Sequence, residues 1–222
     1  MRAVLSMCIL LGACGALASQ FPDPAAGAKG DEIVVKAGKV GALSADFGTL
    51  TVPENWDRPA KLIHLPVVRI RSAAEKAAEP VFVFHGGPGS SNIKLDVSYE
   101  RLLRRHDIVL VGYRGVDGSV SLARPEFNKF LKTVADPLSD EGLRACGAAG
   151  PRAAEQAKAE GIDLAQYDLD STVRDIEAAR KALGFDRIST WGGSFGGAVG
   201  YYYNLSFPNR VKRSVLIEAA FP

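Results

Sequence analysis

A serine set among glycines is the first feature of this sequence that could do chemistry. Residues 192–196 read GGSFG and fit the pattern G-x-S-x-G, with Ser194 at its centre. In this pattern the serine occupies a sharp turn between a strand and a helix, and its hydroxyl projects as a nucleophile. The glycines are required because strand and helix pass too close together for side chains. An apolar run precedes Ser194 and a helix-like run follows it, so we predict that Ser194 is the nucleophile of an acyl-transfer reaction.

A second glycine-rich segment could stabilise the negative charge that such a reaction develops. Residues 85–89 read HGGPG and follow the short apolar run VFVF directly. We predict that the backbone N–H groups of Gly87 and Phe195 form an oxyanion hole. Either motif alone is common in glycine-rich turns, but the two together indicate one site. The other motif positions are expected to support it: His85, Gly86, Pro88, Gly89, Gly192, Gly193 and Gly196.

Strands and helices alternate around these motifs. Apolar and β-branched runs predict six strands, and helical periodicity predicts helices near residues 139–160, from Thr172 to Leu183, and from Ser194 to Ser206. Thr172, with Asp175 three residues later, is typical of a helix-capping box. This alternation predicts an α/β fold whose sheet is parallel in its later part. The strands are expected near residues 46–52, 61–72, 81–84, 107–113, 187–191 and 211–219.

The motifs together resemble a family. The segments HGGPG, YRGVDGS and GGSFGG, with FGTLTVPENWDRP, are similar to the proline iminopeptidases and tripeptidyl aminopeptidases, which are α/β-hydrolases. The resemblance runs from about residue 45 to the last residue. It implies an α/β-hydrolase fold, with a mostly parallel sheet and flanking helices, and a serine peptidase that releases residues from peptide N-termini without a metal or organic cofactor. The family has an acid or glutamine where Tyr113 stands, so a polar role for Tyr113 is left open.

The resemblance also implies a catalytic triad in the order serine, acid, histidine. The three histidines, His64, His85 and His106, all precede Ser194. We therefore expect the triad acid and histidine to lie outside these residues, and the sheet to be truncated after its sixth strand, with the lid and last strands absent. Glu218 follows the last strand, where some α/β-hydrolases place the acid; an ordinary strand-end carboxylate is the alternative.

The ends of the chain differ from its middle. Residues 1–18 have one early arginine, an apolar run and a final Ala-Leu-Ala, which predict a signal peptide cleaved before Ser19 and a secreted or periplasmic protein. The alternative is a lipoprotein signal that leaves a lipidated Cys14. The apolar run is too short to span a membrane. Residues 19–44 are interpreted as a flexible lead-in, and 45–222 as the incomplete hydrolase core.

Composition limits the partners. The 222 residues carry a net charge of +2, which argues against nucleic acid as a partner. The resemblance implies a peptide substrate, with a small ester as the alternative. After cleavage Cys146 is the one remaining cysteine, either buried or paired with a partner elsewhere. Alternative functions are an esterase or lactonase on the same fold, or a non-catalytic binding protein. The last strand contains the apolar run 215–217, which predicts self-association through an exposed sheet edge.

Overall fold

A computed structural model describes residues 19–94, 99–124, 136 and 139–219. The predicted signal peptide and Cys14 lie outside these residues, as does the side chain of Cys146. Within the described part, no helix has the length and apolar character needed to cross a membrane. The strands are β1 (Glu32–Val40), β2 (Leu43–Pro53), β3 (Leu62–Ile70), β4 (Ala78–Phe84), β5 (His106–Val111), β6 (Ile188–Gly193) and β7 (Val211–Ile217). The helices are α1 (Glu100–Leu103), α2 (Asp140–Ala159), α3 (Leu169–Ala182) and α4 (Phe195–Ser206), with short 3-10 turns at Leu164–Gln166 and Pro208–Arg210.

All seven strands belong to one sheet, in the order β1-β2-β3-β5-β4-β6-β7. Strand β2 is antiparallel to its neighbours β1 and β3, and β3 is antiparallel to β5. Strands β5, β4, β6 and β7 are parallel. The carboxyl ends of these four strands therefore meet at one edge of the sheet, where open α/β sheets bind their ligands.

The central strand β4 is buried on both faces because helices cover both sides of the sheet. Phe82 and Phe84 point into one core, and Val81 and Val83 into the other. Because side chains alternate between the faces of a strand, the continuous apolar run VFVF supplies buried side chains to both cores. Helices α3 and α4 complete the core that contains the phenylalanines, through Val173, Ile176, Val199 and Tyr203. The segment around α1 completes the core that contains the valines, through Leu103.

The predicted sheet is confirmed, but it has one strand more than expected. Residues 32–40, assigned above to a flexible lead-in, form β1 and pair with β2 from Glu32 opposite Thr51 to Val40 opposite Leu43. Gly41, with a φ of 58°, lies in the tight turn between the two strands. Much of β1 is exposed at the sheet edge, so it lacks the apolar run that marks a buried strand. Consequently β7, and not a sixth strand, is the last one described.

The capping box predicted at Thr172 is wrong. Helix α3 begins at Leu169, and Asp168 caps it by accepting a hydrogen bond from the Ser171 N–H (2.8 Å). The Thr172 hydroxyl donates to the Asp168 carbonyl instead (2.7 Å). Asp168 is the better cap because its carboxylate interacts with both the free N–H groups and the positive end of the helix dipole.

Asp175, the other residue of that pattern, forms a buried ion pair with Arg114. The Arg114 Nε and Nη2 donate to the two carboxylate oxygens at 2.7 and 2.6 Å. The remaining guanidinium N–H groups donate to the carbonyl oxygens of Pro53, Glu54 and Gln166. One side chain thereby joins the end of β2, the segment before α3 and α3 itself to the loop that follows β5.

We predict that Arg114→Met lowers the free energy of unfolding by about 3–5 kcal/mol, because Asp175 would remain as an unpaired buried carboxylate. The measurement is urea unfolding followed by circular dichroism. Arg174→Met is the matched control: Arg174 pairs with Asp57 and Asp170 at the surface, so its loss should cost less than about 1 kcal/mol. Equal losses in the two variants would contradict the prediction.

Candidate active site

Ser194 occupies the sharp turn predicted for it, between β6 and α4. Its backbone has φ 53° and ψ −122°, an unusual conformation for a residue with a side chain. The Ser194 N–H donates to the carbonyl oxygen of Ile217 on the neighbouring strand β7 (2.9 Å), and the serine is exposed. Such a conformation costs of order 1–3 kcal/mol and persists only where the surroundings enforce it, as they do at functional sites.

The flanking glycines are required by close backbone contacts. A Cβ atom at Gly196 would lie 2.0 Å from the carbonyl oxygen of Phe84, and one at Gly192 would lie 2.2 Å from the carbonyl oxygen of Gly196. No side chain fits at either position without moving backbone. Gly193 differs, since nothing lies within 4 Å of a Cβ placed there.

The HGGPG loop lies against this turn. Strands β4 and β6 are neighbours, with Phe84 opposite Gly192, so the two motifs leave adjacent strands at matching positions. A Cβ at Gly86 would lie 2.9 Å from the Ser194 Cβ, which places the loop backbone directly beside the serine. Gly87 and Gly89 both have positive φ values, 86° and 80°, and Pro88 and Gly89 are exposed.

The predicted oxyanion donors begin from suitable positions. Phe195 is the first residue of α4, where a backbone N–H has no acceptor within its own helix. The N–H groups of Gly197 and Ala198 already donate to the Ser194 carbonyl oxygen. The helix dipole adds positive potential at the same end. That the Phe195 and Gly87 N–H groups bind an oxyanion stays a prediction.

A buried asparagine, missed by the sequence analysis, fixes the loop. The Asn92 side chain donates to the carbonyl oxygens of Val83 on β4 (3.1 Å) and Val111 on β5 (2.9 Å). Its Oδ1 accepts the backbone N–H of His85 (2.8 Å). Asn92 therefore joins the ends of two strands to the first residue of HGGPG. Its only signal in the sequence is a polar residue soon after the motif.

Tyr113, for which the sequence left a polar role open, forms a hydrogen bond with the HGGPG loop. Its hydroxyl donates to the His85 carbonyl oxygen (3.1 Å). The Asp117 carboxylate accepts the backbone N–H groups of Tyr113 (2.9 Å) and Asn92 (3.0 Å). Burial, together with the charge of Asp117, raises the pKa of the Tyr113 hydroxyl, so this group stays protonated and able to donate.

The imidazole of His85 is held by structural partners. Its Nδ1 lies 3.1 Å from Asn92 Oδ1 and its Nε2 lies 2.7 Å from the hydroxyl of the buried Tyr99. These contacts orient the ring within the loop, and neither partner belongs to the serine turn. They agree with the assignment of His85 to loop support.

The other two histidines also contact structural partners. His64 Nδ1 lies 3.1 Å from the Thr51 hydroxyl on the neighbouring strand, and His106 Nδ1 lies 2.7 Å from the Glu79 carbonyl oxygen. His106 begins β5, at the end of the sheet opposite Ser194. Glu218, the candidate acid, directly follows β7, is exposed and has a φ of 48°. It is the next residue after Ile217, whose carbonyl oxygen binds the serine turn.

Comparison with known proteins agrees with this geometry. A family model described as the alpha/beta hydrolase fold matches residues 79–222. The chain belongs to this family. It is similar to a tripeptidyl aminopeptidase of Streptomyces lividans, with 28% identity over 79% of this chain and 35% of the relative. It is also similar to the serine protease Hip1 of Mycobacterium bovis, with 27% identity over 79% of this chain and 36% of the relative.

One solved structure is also similar to this chain. The proline iminopeptidase-related protein of Thermus thermophilus is 19% identical, and the match covers 84% of this chain and 45% of that one, with a TM-score of 0.46. The chain spans about a third of the length of the two curated relatives, the tripeptidyl aminopeptidase and the serine protease Hip1.

We predict that Gly196→Ala lowers the free energy of unfolding by about 1–3 kcal/mol or more, because its methyl group would collide with the Phe84 carbonyl. Gly193→Ala, at the last residue of β6, is the matched control and should change stability by less than about 0.5 kcal/mol. Urea unfolding of the two variants measures both effects. A Gly196→Ala variant as stable as Gly193→Ala would show that strand and helix do not approach as described.

Proposed function

We propose that Ser194 is the nucleophile of a serine hydrolase. The observation that carries this proposal is the strained, exposed Ser194 held against Gly86 of a second glycine motif. In the proposed reaction, Ser194 Oγ bonds to the substrate carbonyl carbon and its proton passes to a general base. The oxyanion is stabilised by the N–H groups of Phe195 and Gly87, and the protonated amine leaves. Water then cleaves the acyl-enzyme and restores the hydroxyl.

The proposed substrate is a peptide, from which N-terminal residues are released, and the proposed site of action is outside the cytoplasm. Support for the peptide comes from relatives named tripeptidyl aminopeptidase and serine protease. Support for export comes from the signal-like sequence of residues 1–18. The fold itself does not choose between amide and ester.

The general base is the missing part of this proposal. The contacts of His64, His85 and His106 favour structural roles, and these are the only histidines of the 222 residues. A serine hydroxyl without a base is a weak nucleophile. We therefore expect this chain to turn peptides over slowly or not at all, while the oxyanion donors still permit reaction with activated reagents.

We predict stoichiometric labelling of the 222-residue chain by a fluorophosphonate probe, with loss of labelling in Ser194→Ala. Ser206→Ala is the matched control, because Ser206 is an exposed serine at the other end of α4. Labelling is read by intact mass and located by peptide mapping. Absence of labelling at Ser194 in folded protein would contradict the nucleophile assignment and favour the non-catalytic binding protein.

The esterase or lactonase alternative is tested on the same preparation. Hydrolysis of a short p-nitrophenyl ester is compared with that of prolyl and tripeptidyl naphthylamides. Ester turnover without acyl-enzyme accumulation, and with no amide reaction, would favour the esterase. A burst of one p-nitrophenol per chain followed by slow release supports a nucleophile that lacks its base.

We also propose that the chain self-associates through β7. This strand pairs with β6 and lies at the end of the described sheet. Val215 is 51% exposed, and Ile217 on the same strand is exposed as well. Charged side chains oppose strand pairing at a sheet edge. The two cations of this strand, Lys212 and Arg213, both form ion pairs with Glu79. Burial acts to raise the pKa of Glu79, but hydrogen bonds, first that from Lys212, lower it to about 2, so this carboxylate stays ionised and the two cations stay engaged.

We predict that Val215→Lys shifts the chain towards monomer, because a charge on an exposed edge strand opposes pairing with another strand. Sedimentation velocity over a range of concentrations measures the shift. Leu143→Lys, at an exposed apolar position on α2, should leave the association unchanged. A monodisperse wild-type monomer would exclude self-association through this edge.

A further inference from the structure

A cleft of about 770 Å³ opens beside the serine turn. It is lined by Phe195, which follows the nucleophile, and by Pro88 and Gly89 of the oxyanion loop. Most of its wall is apolar, contributed by Val116, Leu122, Ala153 and Leu169. Its size and its position at the carboxyl edge of the sheet suit a short peptide or a comparable small molecule.

Three charged residues line the cleft: Arg114, Arg124 and Asp168. Arg114 is paired with Asp175, and the Asp168 carboxylate caps α3. Arg124 is different. Its side chain is 13% exposed, and its ionic partner among the described residues is Glu160, a 56% exposed carboxylate that contacts Nη2 at 3.1 Å.

One N–H donor of the Arg124 guanidinium has no acceptor in the described part of the chain. Nη1 donates to the carbonyl oxygens of Ser121 and Ala123, which fixes that end of the guanidinium. Across the residues that the structure describes, the Arg124 Nε is the one buried side-chain nitrogen or oxygen without a hydrogen-bond partner. On the Nε–Nη2 side of the guanidinium, Nη2 contacts Glu160 and Nε has no such partner. This side has the spacing to bind both oxygens of a carboxylate. A buried N–H with no acceptor is unfavourable, and a ligand that supplies one relieves this.

We infer that this cleft binds substrates that carry a carboxylate, and that Arg124 receives it through Nε and Nη2, displacing Glu160. The inference rests on the proposed function, because it takes the cleft beside Ser194 to hold the substrate. The carboxylate comes either from an acidic side chain of a peptide or from a peptide C-terminus. Arg124 would then be a specificity residue that selects among peptides.

The test measures binding by calorimetry in a Ser194→Ala background, so that hydrolysis does not interfere. Trialanine is compared with trialanine amide for the C-terminal carboxylate, and Ala-Glu-Ala amide with Ala-Gln-Ala amide for the side chain. In at least one pair, the peptide with the added carboxylate should bind roughly 10-fold or more tightly. The pair that shows this preference identifies the source of the carboxylate.

Variants of the two charged residues separate this inference from a structural role. Arg124→Gln should abolish the preference, and Arg124→Lys should retain only part of it because lysine lacks the two-donor edge. Glu160→Gln, a change at an exposed residue, should strengthen carboxylate binding by removing the competitor. Arg174→Gln, at a surface arginine outside the cleft, should bind as the parent does.

Two results would overturn the inference: equal binding within both peptide pairs, or a preference that survives Arg124→Gln. Fluorophosphonate labelling of Ser194 is measured on the wild-type chain. Normal labelling without a carboxylate preference would reject the Arg124 site alone, whereas failed labelling would reject the nucleophile proposal itself.

Discussion

The contact between Gly196 and the Phe84 carbonyl is the constraint on which the rest of the site depends. Helix α4 reaches its position over the sheet because its first turns carry no side chains towards β4 and β7. A Cβ at Gly197 would lie 2.6 Å from the Ala219 Cβ, and one at Gly200 would lie 2.7 Å from Leu216. This close packing brings the start of the helix, with its free N–H groups and dipole, beside the strand end that carries Ser194. A larger residue at Gly196 would move the helix and Ser194 together.

The HGGPG loop that faces the serine is held by hydrogen bonds rather than by close packing. Its backbone is held by buried polar groups: Asn92 accepts the His85 N–H, and the Tyr113 hydroxyl donates to the His85 carbonyl. The Asp117 carboxylate in turn accepts the backbone N–H groups of Asn92 and Tyr113. The Asn92 side chain is completely buried, and its donors and acceptor all have partners. A fully satisfied network of this kind makes a loop rigid. Rigidity matters for the proposed oxyanion hole, because donors that are aimed in advance stabilise developing charge without reorganising.

The sequence predicted those parts of the molecule in which residue type determines conformation. Ser194 and its glycines, the VFVF strand and the HGGPG loop are such cases, because close backbone contact or burial on two faces admits few alternatives. Strand β1 was missed because its order comes from pairing with β2 rather than from a pattern of its own. The cap of α3 was misplaced because Thr172 and Asp168 are both good caps, and tertiary contacts, including the use of Asp175 by Arg114, decide between them. Asn92 and Arg124 could not be found in this way, since their roles depend on which strands and helices surround them.

Backbone strain connects the serine turn to the last described strand. Among the described residues, positive φ values outside glycine occur at Asp31, Ser194 and Glu218. The last two lie at the ends of adjacent strands, where Gly193 pairs with Ile217 and the Ser194 N–H binds the Ile217 carbonyl. Strain at two neighbouring positions persists only if the surrounding structure offsets it, and here the β6–β7 ladder and the tightly packed start of α4 do so. Strand β7 is therefore part of the framework that holds the Ser194 turn, as well as an edge of the described sheet. Because one ladder serves both purposes, disorder of β7 would remove the acceptor of the Ser194 N–H and with it part of the support of that turn.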